Sequence, residues 1–279
     1  PRVVGRRAWR CAARRLLASS ATAGSLRAAS SARLALMPYQ LEPALALLGG
    51  LGARVLIADA VGLGKTVQAL LAVAELRAAG AVRRVLVVCP AGLRDQWAAE
   101  CAGRVGLEAR RLDQAGLRQS RSVRPPDVNP WALDDIVVTS VDYMKRPEVL
   151  PLVREAGWDA VIVDEAHGVA GPSERHEAVD AVCREAAYVV LLTATPHNGN
   201  ESSFRSMCDL GAHEDTLLVF RRTRADAGMP DRRRVHVLRV ASSVAERAMH
   251  RALSVLTQAI RREPGWADGH RWLLVALLH

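Results

Sequence analysis

The sequence predicts a doubly wound α/β fold, a mostly parallel sheet with helices on both faces and helical extensions at both ends. Three observations carry this. Five short runs are almost continuously β-branched or leucine, which is how strands covered on both faces read. Longer helix-like stretches separate them, as parallel crossovers require. A glycine-rich loop joins the first run directly to a helix pattern.

The expected strands are Arg54–Ala58, Arg84–Cys89, Asp135–Thr139, Ala160–Val163 and Tyr188–Leu192. The helices expected between them are Lys65–Ala79, Gly92–Arg104, Glu148–Glu155 and Glu174–Ala186. Gln114–Trp131 holds Gly116, Pro125, Pro126 and Pro130 among arginines and reads as an exposed loop or insertion. Ahead of this domain, residues 1–35 are basic and Ser/Ala-rich, with helical stretches expected over Arg6–Leu17 and Ser25–Leu36. Behind Phe220 come Arg221–Arg224 and Arg232–Arg234, an expected strand Val235–Val240, and an amphipathic helix from Ser243 to Arg262. On that helix Val244, Ala248, Ala252, Leu256 and Ala259 recur at about four-residue intervals. The expected organisation is therefore a basic N-terminal segment (1–35), a central domain (36–220) and a basic connector with strand and helix (221–279).

Half of the 279 residues are apolar, enough for a sizeable core. Lysine occurs only at Lys65 and Lys145, so the net charge of +9 is carried by arginine. A basic surface of this kind suits a polyanionic partner, although a GC-rich coding sequence also favours arginine. Eight arginines precede the first acid, Glu42. An internal basic segment is the preferred reading over an organellar leader, because the chain opens with Pro1. Cys11, Cys89, Cys101, Cys183 and Cys208 form no C-x-x-C pair, so reduced, mostly buried thiols and no structural zinc are expected. No apolar run reaches the roughly 18 residues of a membrane helix.

Three strings carry chemistry. Asp59-Ala60-Val61-Gly62-Leu63-Gly64-Lys65-Thr66 has the strand–loop–helix setting of a phosphate cradle. Backbone N–H groups at a helix N-terminus point at phosphates, and glycine allows close approach. Lys65 would reach the β- and γ-phosphates and Thr66 would join a magnesium shell. Asp164-Glu165-Ala-His167 ends a strand, where α/β sheets place ligands. Asp164 would hold magnesium and Glu165 would activate the attacking water. Leu192-Thr193-Ala-Thr195-Pro196 ends the next run, and its threonines, with His167, would couple the nucleotide site to the rest of the chain.

Together these strings resemble the first RecA-like lobe of a superfamily 2 helicase of the SWI/SNF-related (DEAH-box) class, a P-loop NTPase. The match is to the bacterial branch that includes the RNA-polymerase-recycling ATPase. Leu36-Met-Pro-Tyr-Gln40 resembles the adenine-reading segment, which implies a base contact from Gln40. The segment Val88–Trp97 resembles a motif that touches the nucleic-acid backbone, which makes Pro90, Ala91 and Gly92 contact candidates. Val138–Tyr143 resembles another, with Ser140. Phe220–Asp226 resembles the stretch that leaves the first lobe. Ala60 departs from the family, which usually carries an acid there.

The resemblance implies an ATP hydrolase using ATP and Mg2+, with double-stranded DNA as the partner, and RNA polymerase or another DNA-bound protein as the remodelled object. It also implies a bacterial cytoplasmic setting, at the nucleoid. The family's second lobe, whose arginines reach the γ-phosphate, is not found before His279, so weak activity is expected of this chain alone. The alternatives are a strand-separating helicase or restriction-type motor, a non-hydrolysing nucleic-acid-binding fragment, and an unrelated P-loop kinase.

Overall fold

The computed structural model describes residues 26–33, 35–122, 125, 128–194, 201–213, 216–228 and 241–262. At its centre lies a parallel sheet of seven strands in the order β3-β4-β2-β5-β6-β1-β7. The strands are β1 (Arg54–Ile57), β2 (Val85–Cys89), β3 (Arg110–Arg111), β4 (Ile136–Ser140), β5 (Ala160–Val163), β6 (Tyr188–Leu192) and β7 (Leu217–Phe220). All five expected strands are present. The edge strands β3 and β7 are additional, and their short, half-buried sequences lack the continuous apolar run that marks a central strand.

Each central strand is buried on both faces, and its residues alternate between two cores. Val55 and Ile57 of β1, Val85 and Val87 of β2, and Ala160 and Ile162 of β5 enter one core. Leu56, Leu86, Val88, Val161 and Val163 enter the other. The first core is closed by α1 (Glu42–Leu48), α2 (Lys65–Ala78) and α3 (Arg94–Val105). The second is closed by α5 (Val141–Met144), α6 (Leu150–Ala156), α7 (Glu174–Glu185) and α8 (Glu201–Cys208). This period of two on both faces fixes register, because a one-residue slip would exchange the cores.

Two expectations fail. Gln114–Trp131 is not simply an exposed loop. It opens with helix α4 (Gln114–Ser122), whose first turn is held by Asp113 accepting from the Gly116 N–H at 2.9 Å. It ends on Trp131, wholly buried and stacked on Tyr143 with centroids 6.2 Å apart. The second failure is the helix expected over Ser25–Leu36. Its described part is irregular apart from a 3-10 turn at Ala29–Ser31. The buried Glu75 carboxylate accepts from the Arg27 and Ala29 N–H groups at 2.9 and 2.7 Å, and these bonds replace helical ones. Residues Arg6–Leu17, the strand Val235–Val240 and Thr195 lie outside the described residues.

The chain divides into two compact units, residues 1–231 and 232–279. Arg221–Gly228, read from sequence as part of the connector, therefore belongs to the first unit. In the second, α9 (Val244–Arg262) matches the expected amphipathic helix, and Ser243 caps its start by accepting from the Glu246 N–H. Among the described residues, Cys89, Cys101 and Cys183 are buried free thiols, and no helix is long and apolar enough to cross a membrane.

Candidate nucleotide and nucleic-acid site

Strands β5, β6 and β1 are neighbours and run the same way, so their C-terminal ends bring the three strings to one edge of the sheet. The loop Asp59–Gly64 leaves β1 and turns into α2. Gly62 and Gly64 have φ of 88° and 77°, a left-handed conformation that side-chain-bearing residues avoid. At Gly64 a Cβ would also stand 2.7 Å from Gln40 Nε2. Lys65 begins α2, and its Nζ donates to the Asp59 carbonyl at 2.9 Å. Burial lowers the Lys65 pKa, while Glu165, Asp59 and Asp164 favour its charged form.

The acids of the second string follow β5 directly. Asp164 Oδ2 accepts from the Trp97 indole N–H at 2.8 Å, and Oδ1 accepts from the Glu165 N–H at 2.9 Å. Glu165 has φ of 49°, the one positive φ outside glycine among the described residues. Its Oε2 is buried with no hydrogen bond among the described residues, and His167 Nδ1 lies 3.1 Å from it. The same Nδ1 is 3.2 Å from the hydroxyl of the buried Thr193, at the end of β6. Lys65, Thr66, Asp164 and Glu165 line one cleft together with Leu93, Gln96, Trp97 and Glu100 of the α3 region.

Some predicted residues stand differently from their sequence reading. Asp59 does not face the cleft. It is fully buried, and its carboxylate accepts from Gln68 Nε2 at 2.8 Å and from the Arg222 N–H and guanidinium at 2.8 and 3.0 Å. Gln40 is buried as well: Oε1 accepts from the Met37 N–H and Nε2 donates to the Leu63 carbonyl. Ala60 is half-buried and Val61 lies exposed at the loop tip. Pro90, Ala91 and Gly92 form an exposed turn after β2. Ser140 is 4% exposed, and its hydroxyl accepts from the Tyr143 N–H to cap α5, which leaves its O–H as a donor.

Three residues of the site were missed in the sequence. Trp97 holds Asp164, Gln68 holds Asp59, and Arg222 joins the loop from the far end of the lobe. For Arg222 the signals were membership of an arginine run and of the stretch Phe220–Asp226, and neither pointed to the loop.

Residues 44–215 match the model of the SNF2-related domain. The chain is 36% identical over 178 residues to the RNA polymerase-associated protein RapA of Sodalis glossinidius, and 35% identical to that of Yersinia pestis. In both cases the match covers 62% of this chain and 18% of the relative, so the chain spans about a fifth of the length of those proteins. Among solved structures, the Sulfolobus solfataricus SWI2/SNF2 ATPase core in complex with dsDNA superposes with a TM-score of 0.59 at 19% identity, covering 92% of this chain and 59% of that one. The Pyrococcus furiosus Hef helicase domain gives a TM-score of 0.50 at 20% identity, covering 63% of this chain and 37% of that one. These structures share the fold, and the sequence match extends over most of the lobe: the chain belongs to the SNF2-related domain family of ATPases.

Proposed function

We propose that this chain is the ATP-binding lobe of a motor that couples Mg-ATP hydrolysis to movement on double-stranded DNA and remodels protein–DNA complexes. The observation that carries this reading is the convergence of Lys65, Thr66, Asp164 and Glu165 on one cleft at the ends of adjacent strands.

Each group has chemistry to match. The Gly62–Lys65 turn presents backbone N–H groups at the start of α2, where anions are favoured. Lys65 exchanges its carbonyl partner for phosphate oxygens. Asp164 and Thr66 hold magnesium, since each Asp164 oxygen uses one lone pair in the bonds described and keeps another free. Bound there, the metal would neutralise charge on the phosphate oxygens. Glu165, with one buried oxygen lacking a hydrogen bond among the described residues, takes the proton of the attacking water. His167 and Thr193 carry the state of that acid to β6, and Thr195 continues the path. Gln40 contacts the base once it lets go of Leu63.

The exposed Pro90–Gly92 turn meets the DNA backbone, and the arginine-borne charge of +9 adds attraction that falls with salt. The name of the RapA relatives supports RNA polymerase or another DNA-bound protein as the remodelled object, in the bacterial cytoplasm at the nucleoid. Residues 36–220 form the ATP-binding lobe in this reading. Residues 1–35 are a basic arm, Arg221–Gly228 pack with the lobe, and arginines from a partner lobe of the same motor would complete the γ-phosphate site and speed turnover.

A fluorescent-nucleotide titration tests the cradle. Lys65→Ala is expected to weaken Mg-ATP binding by about 100-fold, the loss of several charge-assisted hydrogen bonds. Equal affinity in the two proteins overturns the assignment. Duplex DNA affinity measured against salt tests the motor: a steep decline is expected, and a flat response removes DNA as the track.

A further inference from the structure

Arg222 lies just beyond β7, 163 residues from the acid it binds, and its side chain is only 13% exposed. Its guanidinium donates to the fully buried Asp59 carboxylate and to Glu42. It also stands over two aromatic rings, 5.6 Å from the centroid of Tyr39 and 5.4 Å from that of Phe220. The backbone is engaged too, because the Arg222 carbonyl accepts from the Ala60 N–H at 2.9 Å. Every partner except Phe220 belongs to one of two segments: the turn Tyr39–Glu42, which carries Gln40, and the root of the glycine loop, Asp59–Ala60. Those segments meet a second time at Leu63, whose carbonyl accepts from the Tyr39 hydroxyl at 3.2 Å and from Gln40 at 3.3 Å.

We propose that Arg222 is a positioning residue that fastens the Gln40 turn to the root of the phosphate loop, so that the two halves bind one nucleotide together. This rests on the reading of the loop as a nucleotide cradle. A planar fork with five donors serves two carboxylates in different directions and stacks on rings at the same time, which a lysine ammonium does not. Preorganisation of this kind lowers the ordering cost of a ligand that touches both halves. A ligand confined to the loop gains little from it.

The test follows from that difference. Mg-ATP and inorganic tripolyphosphate are titrated against the full chain and its Arg222→Gln, Arg222→Lys and Arg221→Gln variants, below their unfolding temperatures. The expected result is a loss of about tenfold in ATP affinity for Arg222→Gln, with tripolyphosphate affinity nearly unchanged. Arg222→Lys should show a smaller loss of the same kind and stands in if Arg222→Gln does not fold. Arg221→Gln, an exposed neighbour of equal charge, should match the wild type. Equal losses for both ligands, or no loss for either, would overturn the role of Arg222. A wild-type chain that binds neither ligand overturns the cradle reading itself.

Discussion

Asp59 and Glu165 are both acids at the C-terminal ends of sheet strands, one on each side of β6, yet their surroundings are opposite. Asp59 is fully buried, and both of its oxygens accept hydrogen bonds, from Gln68 and from the backbone and guanidinium of Arg222. Glu165 sits in a left-handed conformation, half-buried, with one oxygen that accepts no hydrogen bond among the described residues. A carboxylate with all its partners supplied holds structure. A carboxylate held in a strained backbone with spare acceptor capacity is suited to chemistry. Position on the sheet alone does not separate the two; their partners do.

The largest expected break in this comparison is Asp59→Ala. It leaves Arg222 partly buried beside Tyr39 with its main counter-charge gone, and loss of one partner of a buried pair costs about 3–5 kcal/mol. Urea denaturation should show that fall, and a change below about 1 kcal/mol would mean that Glu42 alone suffices for Arg222. A smaller effect is expected at Trp97→Phe, which keeps the buried ring but removes the bond to Asp164. A hydrogen bond to a charged group with some solvent access is worth about 1–2 kcal/mol. A variant as stable as the wild type would show that Asp164 is held by the Glu165 N–H alone.

Most of the fold was legible because it is local. The five central strands are runs whose apolar character continues on both faces, and residue alternation then sorts them into two cores. The Gly62–Gly64 loop and the acids after β5 were legible for the same reason, since their signal lies within a few consecutive residues. Partners were not legible. Trp97 is 67 residues from Asp164 and Arg222 is 163 from Asp59, and no periodicity encodes such contacts. That is why Asp59 reads in sequence as part of the cradle but in structure as an anchor. The turn at Ala29–Ser31 failed similarly: Glu75, on α2, takes the N–H groups that a helix would have used.

The charge on Asp164 can be read through a neighbour. Burial first, then Asp164, pushes the Cys89 thiol up to about 12, and burial with Glu100 does the same for Cys101. A free thiol titrates near about 8.5. Above that pH the unfolded chain releases protons that the folded chain keeps, so stability falls as pH rises from roughly 8.5 towards 12. Each thiol contributes about 1 kcal/mol per pH unit in the middle of that window. Urea midpoints at pH 8 and 10 should therefore diverge, and Cys89→Ala should narrow the gap. In Asp164→Asn the Cys89 thiol should titrate lower than in the wild type; an unmoved thiol would show that Asp164 is screened from β2.

The smallest expected change in stability falls on the residue with the largest expected change in activity. Glu165→Gln keeps size and hydrogen-bonding capacity, and it removes a charge whose buried oxygen accepts no bond among the described residues. Stability should stay within about 0.5 kcal/mol of the wild type, since no saturated contact is broken. Turnover by the lobe joined to its second half should fall by about 10²–10⁴, the usual contribution of a general base. ATP should still bind, because Lys65 and the Gly62–Gly64 turn are untouched. Asp59→Asn offers the mirror image, with stability reduced and any residual turnover keeping its pH dependence. If Glu165→Gln instead lost stability while turnover survived, the poised acid and the anchoring acid would have been assigned the wrong way round. The unusual backbone at Glu165 would then belong to the fold rather than to the reaction.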